Sequence, residues 1–98
     1  MKLVLSPHDI GQESKHAVRL FNEDKFDLIH MHLKKDEQLS EHHVKTDAII
    51  IVRTGKVEFD FNGKTVTLTN ENILHMDPYE DHSVRAIEET DLILLNVK

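Results

Sequence analysis

Apolar and polar residues alternate along most of this chain with a period of two, the spacing of strands with one buried face. Phe26 to Leu33 sets Ile29, Met31 and Leu33 on one side and His30 and His32 on the other, which predicts an apolar face to the core and histidines to solvent. Val57, Phe59 and Phe61 alternate with Glu58, Asp60 and Asn62, and both phenylalanines are expected to pack in the core. His82, Val84 and Ala86 share one face of a further strand. Shorter strands are expected over His16 to Phe21, Thr65 to Thr69, Ile73 to Met76 and Asp91 to Val97. Ala48 to Val52 is an unbroken apolar run, which predicts a strand buried on both faces.

The breaks between these segments are turn chemistry. Asn22-Glu23-Asp24, Lys34 to Gln38, Thr54-Gly55-Lys56, Asn70-Glu71-Asn72 and Asp77-Pro78 interrupt the pattern, and Asn62-Gly63 is a strong two-residue hairpin signal. Met1 to Leu5 reads as a short strand ahead of a turn at Ser6-Pro7-His8-Asp9. A single helical turn is expected near Glu13 to His16, capped by Gln12 or Ser14. Many short strands with frequent turns predict an all-β fold, most economically a small antiparallel jelly-roll barrel. Barrels of this kind hold ligands in their mouths.

The 98 residues suffice for one domain. Residues 1–20 are expected to form an N-terminal arm or strand, and residues 21–98 the barrel. Cysteine is absent, which excludes disulfides, thiolate metal sites, iron–sulfur clusters and cysteine nucleophiles. Three glycines do not make a Gly-rich phosphate loop. The net charge is −6 and the 12 Lys and Arg residues are scattered, which argues against a nucleic-acid partner. No apolar run approaches the roughly 20 residues of a membrane helix, and no secretory leader is expected. A cytoplasmic protein with no membrane partner is the resulting expectation.

The eight histidines change the picture most, because imidazole is the commonest metal ligand and titrates near neutrality. Two polar clusters interrupt the strands. One is Glu41-His42-His43 with Asp47; the other is His82, four residues after Pro78. Imidazole and carboxylate are what zinc, manganese, nickel or iron would take in a cysteine-free protein. The simpler reading keeps Asp47 as a strand terminus or partner of Lys45, His82 as a buried histidine bonded to a backbone carbonyl, and His75 at the surface between Leu74 and Met76. Arg85 is expected outside, near Glu88 or Glu89.

The order of these features resembles the cupin superfamily, and more narrowly its small single-domain members. Leu39-Ser40-Glu41-His42, Asp47-Ala48 and Gly55-Lys56-Val57-Glu58-Phe59 are similar to the first cupin motif; Asp77-Pro78 with His82-Ser83-Val84-Arg85-Ala86 is similar to the second. The resemblance covers about residues 26–97. In its metal-binding form the first motif reads G(X)5HXH(X)3,4E(X)6G, and two registers compete here. One counts six residues back from Gly55 and retains only His42, with Val44 and Ala48 in the other ligand positions. The other places Glu41, His43 and Asp47 in the three positions but has one residue too many before Gly55, which a bulge would have to absorb. In the second motif, G(X)5PXG(X)2H(X)3N, Asn72 and Glu80 stand for the glycines, Ala86 stands for the asparagine, and His82 comes one residue early.

The resemblance thus implies a barrel interior with His42 and His82 as polar or metal-binding contacts, beside Val84, Ala86 and the Ile49–Val52 strand. It implies a small ligand or a divalent metal ion bound there, in a sensor or carrier. A metal-dependent dioxygenase or isomerase and a purely structural dimeric module are the alternatives. A homodimer is expected, with the N-terminal arm exchanged between copies.

Overall fold

The structure, a computed structural model, describes residues 1–7, 16–42 and 45–98, without the side chains of residues 16 and 40–42. The expected turn at Glu13 to His16 therefore lies outside the described residues apart from His16, and His8 and His43 lie outside them altogether. Nine strands form: β1 (His16–Asn22), β2 (Phe26–Leu33), β3 (Gln38–His42), β4 (Asp47–Thr54), β5 (Val57–Phe61), β6 (Lys64–Leu68), β7 (Ile73–Met76), β8 (His82–Ala86) and β9 (Thr90–Val97). No helix occurs among the described residues, and none is long and apolar enough to cross a membrane.

All strand pairs are antiparallel. One sheet has the order β1-β2-β9-β4-β7 and the other β3-β8-β5-β6. This is the expected all-β jelly roll, in which consecutive strands seldom neighbour one another and closure depends on distant pairings. The core fills the space between the sheets. Leu33, Ala48, Ile50, Met76 and Leu92 come from the five-stranded sheet; Val57, Phe59, Leu68, Val84 and Ala86 come from the four-stranded one. Burying Leu33, Ile50 or Leu68 completely stabilises the fold by about 1.5–3 kcal/mol each.

Period-two alternation predicted β2, β5 and β8 well. Four expectations need correction. Gln38–His42 is a strand, although its polar composition reads as a break; it pairs with β8, with a register shift between Leu39 and His42. Residues 1–7 have no strand assignment, although Met1 to Leu5 read as a short strand; the strand expected over His16 to Phe21 is β1, which pairs with β2 of the same chain. Ala48 to Val52 is not buried on both faces: Ala48, Ile50 and Val52 enter the core, while Ile51 keeps 40% of its surface. An apolar run therefore masks an ordinary one-faced strand.

The fourth correction concerns β2. Met31 and Leu33 do face the core, yet His30 and His32 are also buried. The outer face of β2 is covered. Ser6 Oγ lies 3.0 Å from His30 Nδ1, and Arg53 donates from Nη1 to the Ser6 carbonyl at 3.0 Å. Asp91, on the neighbouring β9, takes His30 Nε2 at 2.5 Å and Arg53 Nη2 at 2.8 Å. Arg53 Nη2 also lies 2.7 Å from His30 Nε2, so the guanidinium, the carboxylate and the imidazole meet at one point, and the Ser6 hydroxyl sits at the other ring nitrogen.

Two turns are set by glycine. Asn62 (φ 53°) and Gly63 (φ 88°) both occupy the left-handed region, as the hairpin between β5 and β6 requires. Gly55 (φ 96°) closes the β4–β5 turn against the start of β9, where a Cβ would lie 2.2 Å from the Glu89 carbonyl oxygen. Thr90, fully buried, receives the Lys56 amide at 3.1 Å and so ties this turn to β9.

Candidate functional site

A cavity of about 50 Å³ opens between the sheets. That is room for about three to five waters at roughly 10–15 Å³ each, well below the several hundred Å³ of a drug-sized pocket. Its walls are Met31, Leu92 and Leu94 on one side, Ile50 and Met76 behind, and Leu39, Phe59 and Val84 opposite. Two polar side chains complete it, His82 and Asn96.

His82 opens β8 directly after the turn at Asp77–Asp81. In that turn the Glu80 amide bonds the Asp77 carbonyl at 3.3 Å, and the Glu80 carboxylate reaches back to the Asp77 amide at 3.1 Å. The imidazole is buried and donates from Nδ1 to the Glu80 carbonyl at 3.1 Å. Phe59 and Phe61, two apart on β5, stack on each other at 6.1 Å, and the His82 ring lies 5.9 Å from both. The ring is thus clamped by a backbone hydrogen bond and two aromatic faces, which fixes both tautomer and orientation.

The sequence-derived residues are distributed as follows. His82 and Val84 line the cavity, whereas Ala86 shares their face but is fully buried beyond it. His42 lies opposite His82 in the β3–β8 ladder, with its side chain outside the description. Of the Ile49–Val52 strand only Ile50 lines the cavity. Asp47 precedes the buried Ala48 and so turns away from the cavity; its carboxylate meets His75 Nε2 at 2.8 Å rather than Lys45. His75 is exposed, as its place between Leu74 and Met76 predicts. Arg85 pairs with Asp36 (3.5 Å) and Glu58 (3.9 Å) instead of Glu88 or Glu89, because its register partner on β5 is Glu58. It joins Gln38, Asp60 and Ser83 around a shallow polar groove on the outer side of the four-stranded sheet.

Asn96 escaped the sequence reading. The signal was there: Leu92, Leu94 and Asn96 form one parity set, and a lone amide on a core face needs a reason. Met31 and Met76 carry no local sign that they line one cavity, since β2 and β7 stand apart in the sheet.

The donor set of the cavity bears on the metal question. Among the described residues it offers one imidazole and one amide, short of the three or four ligands of a zinc or iron centre. These residues do not fit such a centre without a further ligand.

No protein-family model matches the chain, and no curated protein matches its sequence. The fold does match solved structures. A cupin superfamily protein from Desulfitobacterium hafniense superposes with a TM-score of 0.83 at 13% identity, over 91% of this chain and 82% of that one. An RmlC-like cupin protein from Desulfovibrio desulfuricans gives 0.83 at 18% identity, over 99% and 96% of the two chains. The cupin_2 domain of an XRE family transcriptional regulator from Enterobacter cloacae gives 0.75 at 20% identity, over 88% and 98%.

Proposed function

The chain has the cupin fold, and we propose that it is a binding module of sensor or carrier type, whose small organic ligand sits between the sheets against His82. The observation that carries this reading is an apolar cavity that contains one clamped imidazole and one amide. A ligand with a short hydrocarbon body and a single hydroxyl or carboxylic acid group suits those walls: the body meets Met31, Met76 and Leu94, and the polar group lies toward His82 and Asn96. That one of the similar folds is a domain of a transcriptional regulator is compatible with a sensor. A metal-dependent dioxygenase or isomerase is the weaker reading, because it needs a ligand beyond His82 and Asn96; His42, opposite His82, is the residue it would call on.

Methionine methyl resonances test the proposal. Two of the three methionines, Met31 and Met76, line the cavity, and the third, Met1, is exposed. Protein labelled with 13C-methyl methionine is titrated with alcohols and monocarboxylic acids of two or three carbons. The expected result is a saturable shift of Met31 and Met76 with Met1 unmoved, lost in His82→Phe. If none of these compounds moves Met31 or Met76 at millimolar concentration, the cavity is packing space and the proposal fails.

A second copy of this chain is the partner we infer for the N-terminal segment. Met1, Leu3 and Leu5 point outward at alternate positions, with Leu3 93% and Leu5 89% exposed, while Ser6 anchors the segment to His30. Such a stripe on an otherwise acidic surface favours self-association, and a domain of this size gains burial by pairing.

A further inference from the structure

The geometry points to a second site, on the outer face of the five-stranded sheet, at which Asp47, His75 and Asp77 bind a divalent cation such as zinc. It lies across the sheet from the proposed ligand cavity and does not depend on it.

Strand register builds the site. In the β4–β7 ladder Ala48 pairs with Met76 and Ile49 with His75. Ala48 and Met76 enter the core, so their chain neighbours Asp47, His75 and Asp77 face the other way. His75 Nε2 is 2.8 Å from Asp47 Oδ1, and His75 Nδ1 is 4.0 Å from Asp77 Oδ1. One ligand atom from each residue lies within 4.8 Å of the other two. Ligands held about 2.0–2.2 Å from a tetrahedral zinc are about 3.3–3.6 Å apart, so small rotations of three exposed side chains bring one ligand atom from each into the shell.

Charge favours a cation. Among the described residues neither Asp47 nor Asp77 has a Lys or Arg partner; His75 is the shared neighbour of both carboxylates. Glu80 adds a third carboxylate at the same end, bonded to the Asp77 amide. One imidazole with two carboxylates is a borderline-to-hard ligand set that leaves positions for water, the pattern of zinc or manganese rather than of copper(I). Asp47 and His75 stand on adjacent paired strands, with Asp77 just past the end of β7, so the sheet largely sets their spacing before the ion arrives. Because β7 is an edge strand, a bound ion clamps it to β4.

The test is a zinc chloride titration of the untagged full chain, labelled at histidine and followed by NMR of the imidazole ring protons. The expected result is movement of the His75 resonances ahead of all others, saturating at one ion per chain, with a rise in the thermal midpoint. His75→Gln should abolish that movement and the thermal rise, and Asp77→Asn should weaken binding at least tenfold. Zinc that leaves His75 unmoved at millimolar concentration, that moves His82 first, or that binds His75→Gln as tightly as the native chain overturns the assignment.

Discussion

At the scale of single residues, two glycines with similar backbone angles make different demands. Gly63 has φ 88° and nothing within 4 Å of an added Cβ, so only the left-handed conformation resists substitution. Gly63→Ala should destabilise by about 1–2 kcal/mol. Gly55→Ala adds to the same strain a Cβ 2.2 Å from the Glu89 carbonyl oxygen and 2.7 Å from Thr90 Cα, both backbone atoms that cannot rotate aside. A loss of about 4 kcal/mol or more is expected, at the extreme of single substitutions. Urea midpoints separate the two cases; equal midpoints would show that the β4–β5 turn moves away from β9 at little cost. The hairpin at Asn62-Gly63 was legible because its requirement is local. The cradle around Gly55 was not, since Glu89 and Thr90 build it from far along the chain.

At the scale of elements, the outer face of β2, β9 and β4 shows how much depends on what lies over a sheet. Asp91 is buried only because His30 and Arg53 satisfy it and the Ser6 segment caps His30. Asp91→Ala leaves Arg53 and His30 without their carboxylate and should cost about 3–5 kcal/mol, read from the shift of the urea midpoint. Ser6→Ala removes one hydrogen bond and should cost only about 0.5–1.5 kcal/mol. Removing residues 1–6 uncovers His30, and its ring should then react with diethyl pyrocarbonate as read at the His30 peptide by mass spectrometry, with little modification of that peptide in the intact chain. Modification of the His30 peptide at an equal rate in both chains would mean that the segment does not seal the face. Alternation identified β2 but could not say that both of its faces are covered. It missed β3 because Gln38–His42 carries a single apolar residue, Leu39, which shows no period, and its place is set by its ladder with β8.

At the scale of the whole molecule, the apolar stripe of the N-terminal segment predicts self-association. Sedimentation equilibrium should give twice the single-chain mass at micromolar concentration, and the double substitution Leu3→Glu with Leu5→Glu should raise the dissociation constant at least tenfold. A single-chain mass at every concentration would remove the second copy as the partner of this segment.

The all-β class, the turn at Asn62-Gly63 and the common face of His82, Val84 and Ala86 were all legible along the chain. Each follows from period-two geometry or from the conformational needs of two adjacent residues, which no distant contact alters. Which faces are covered, that His82, Asn96 and two methionines line one cavity, and that Asp47 turns outward to His75 emerge from the packing of the two sheets. A strand pattern divides side chains between two faces but does not say what packs on either. In a jelly roll, pairings between strands distant in sequence supply that answer.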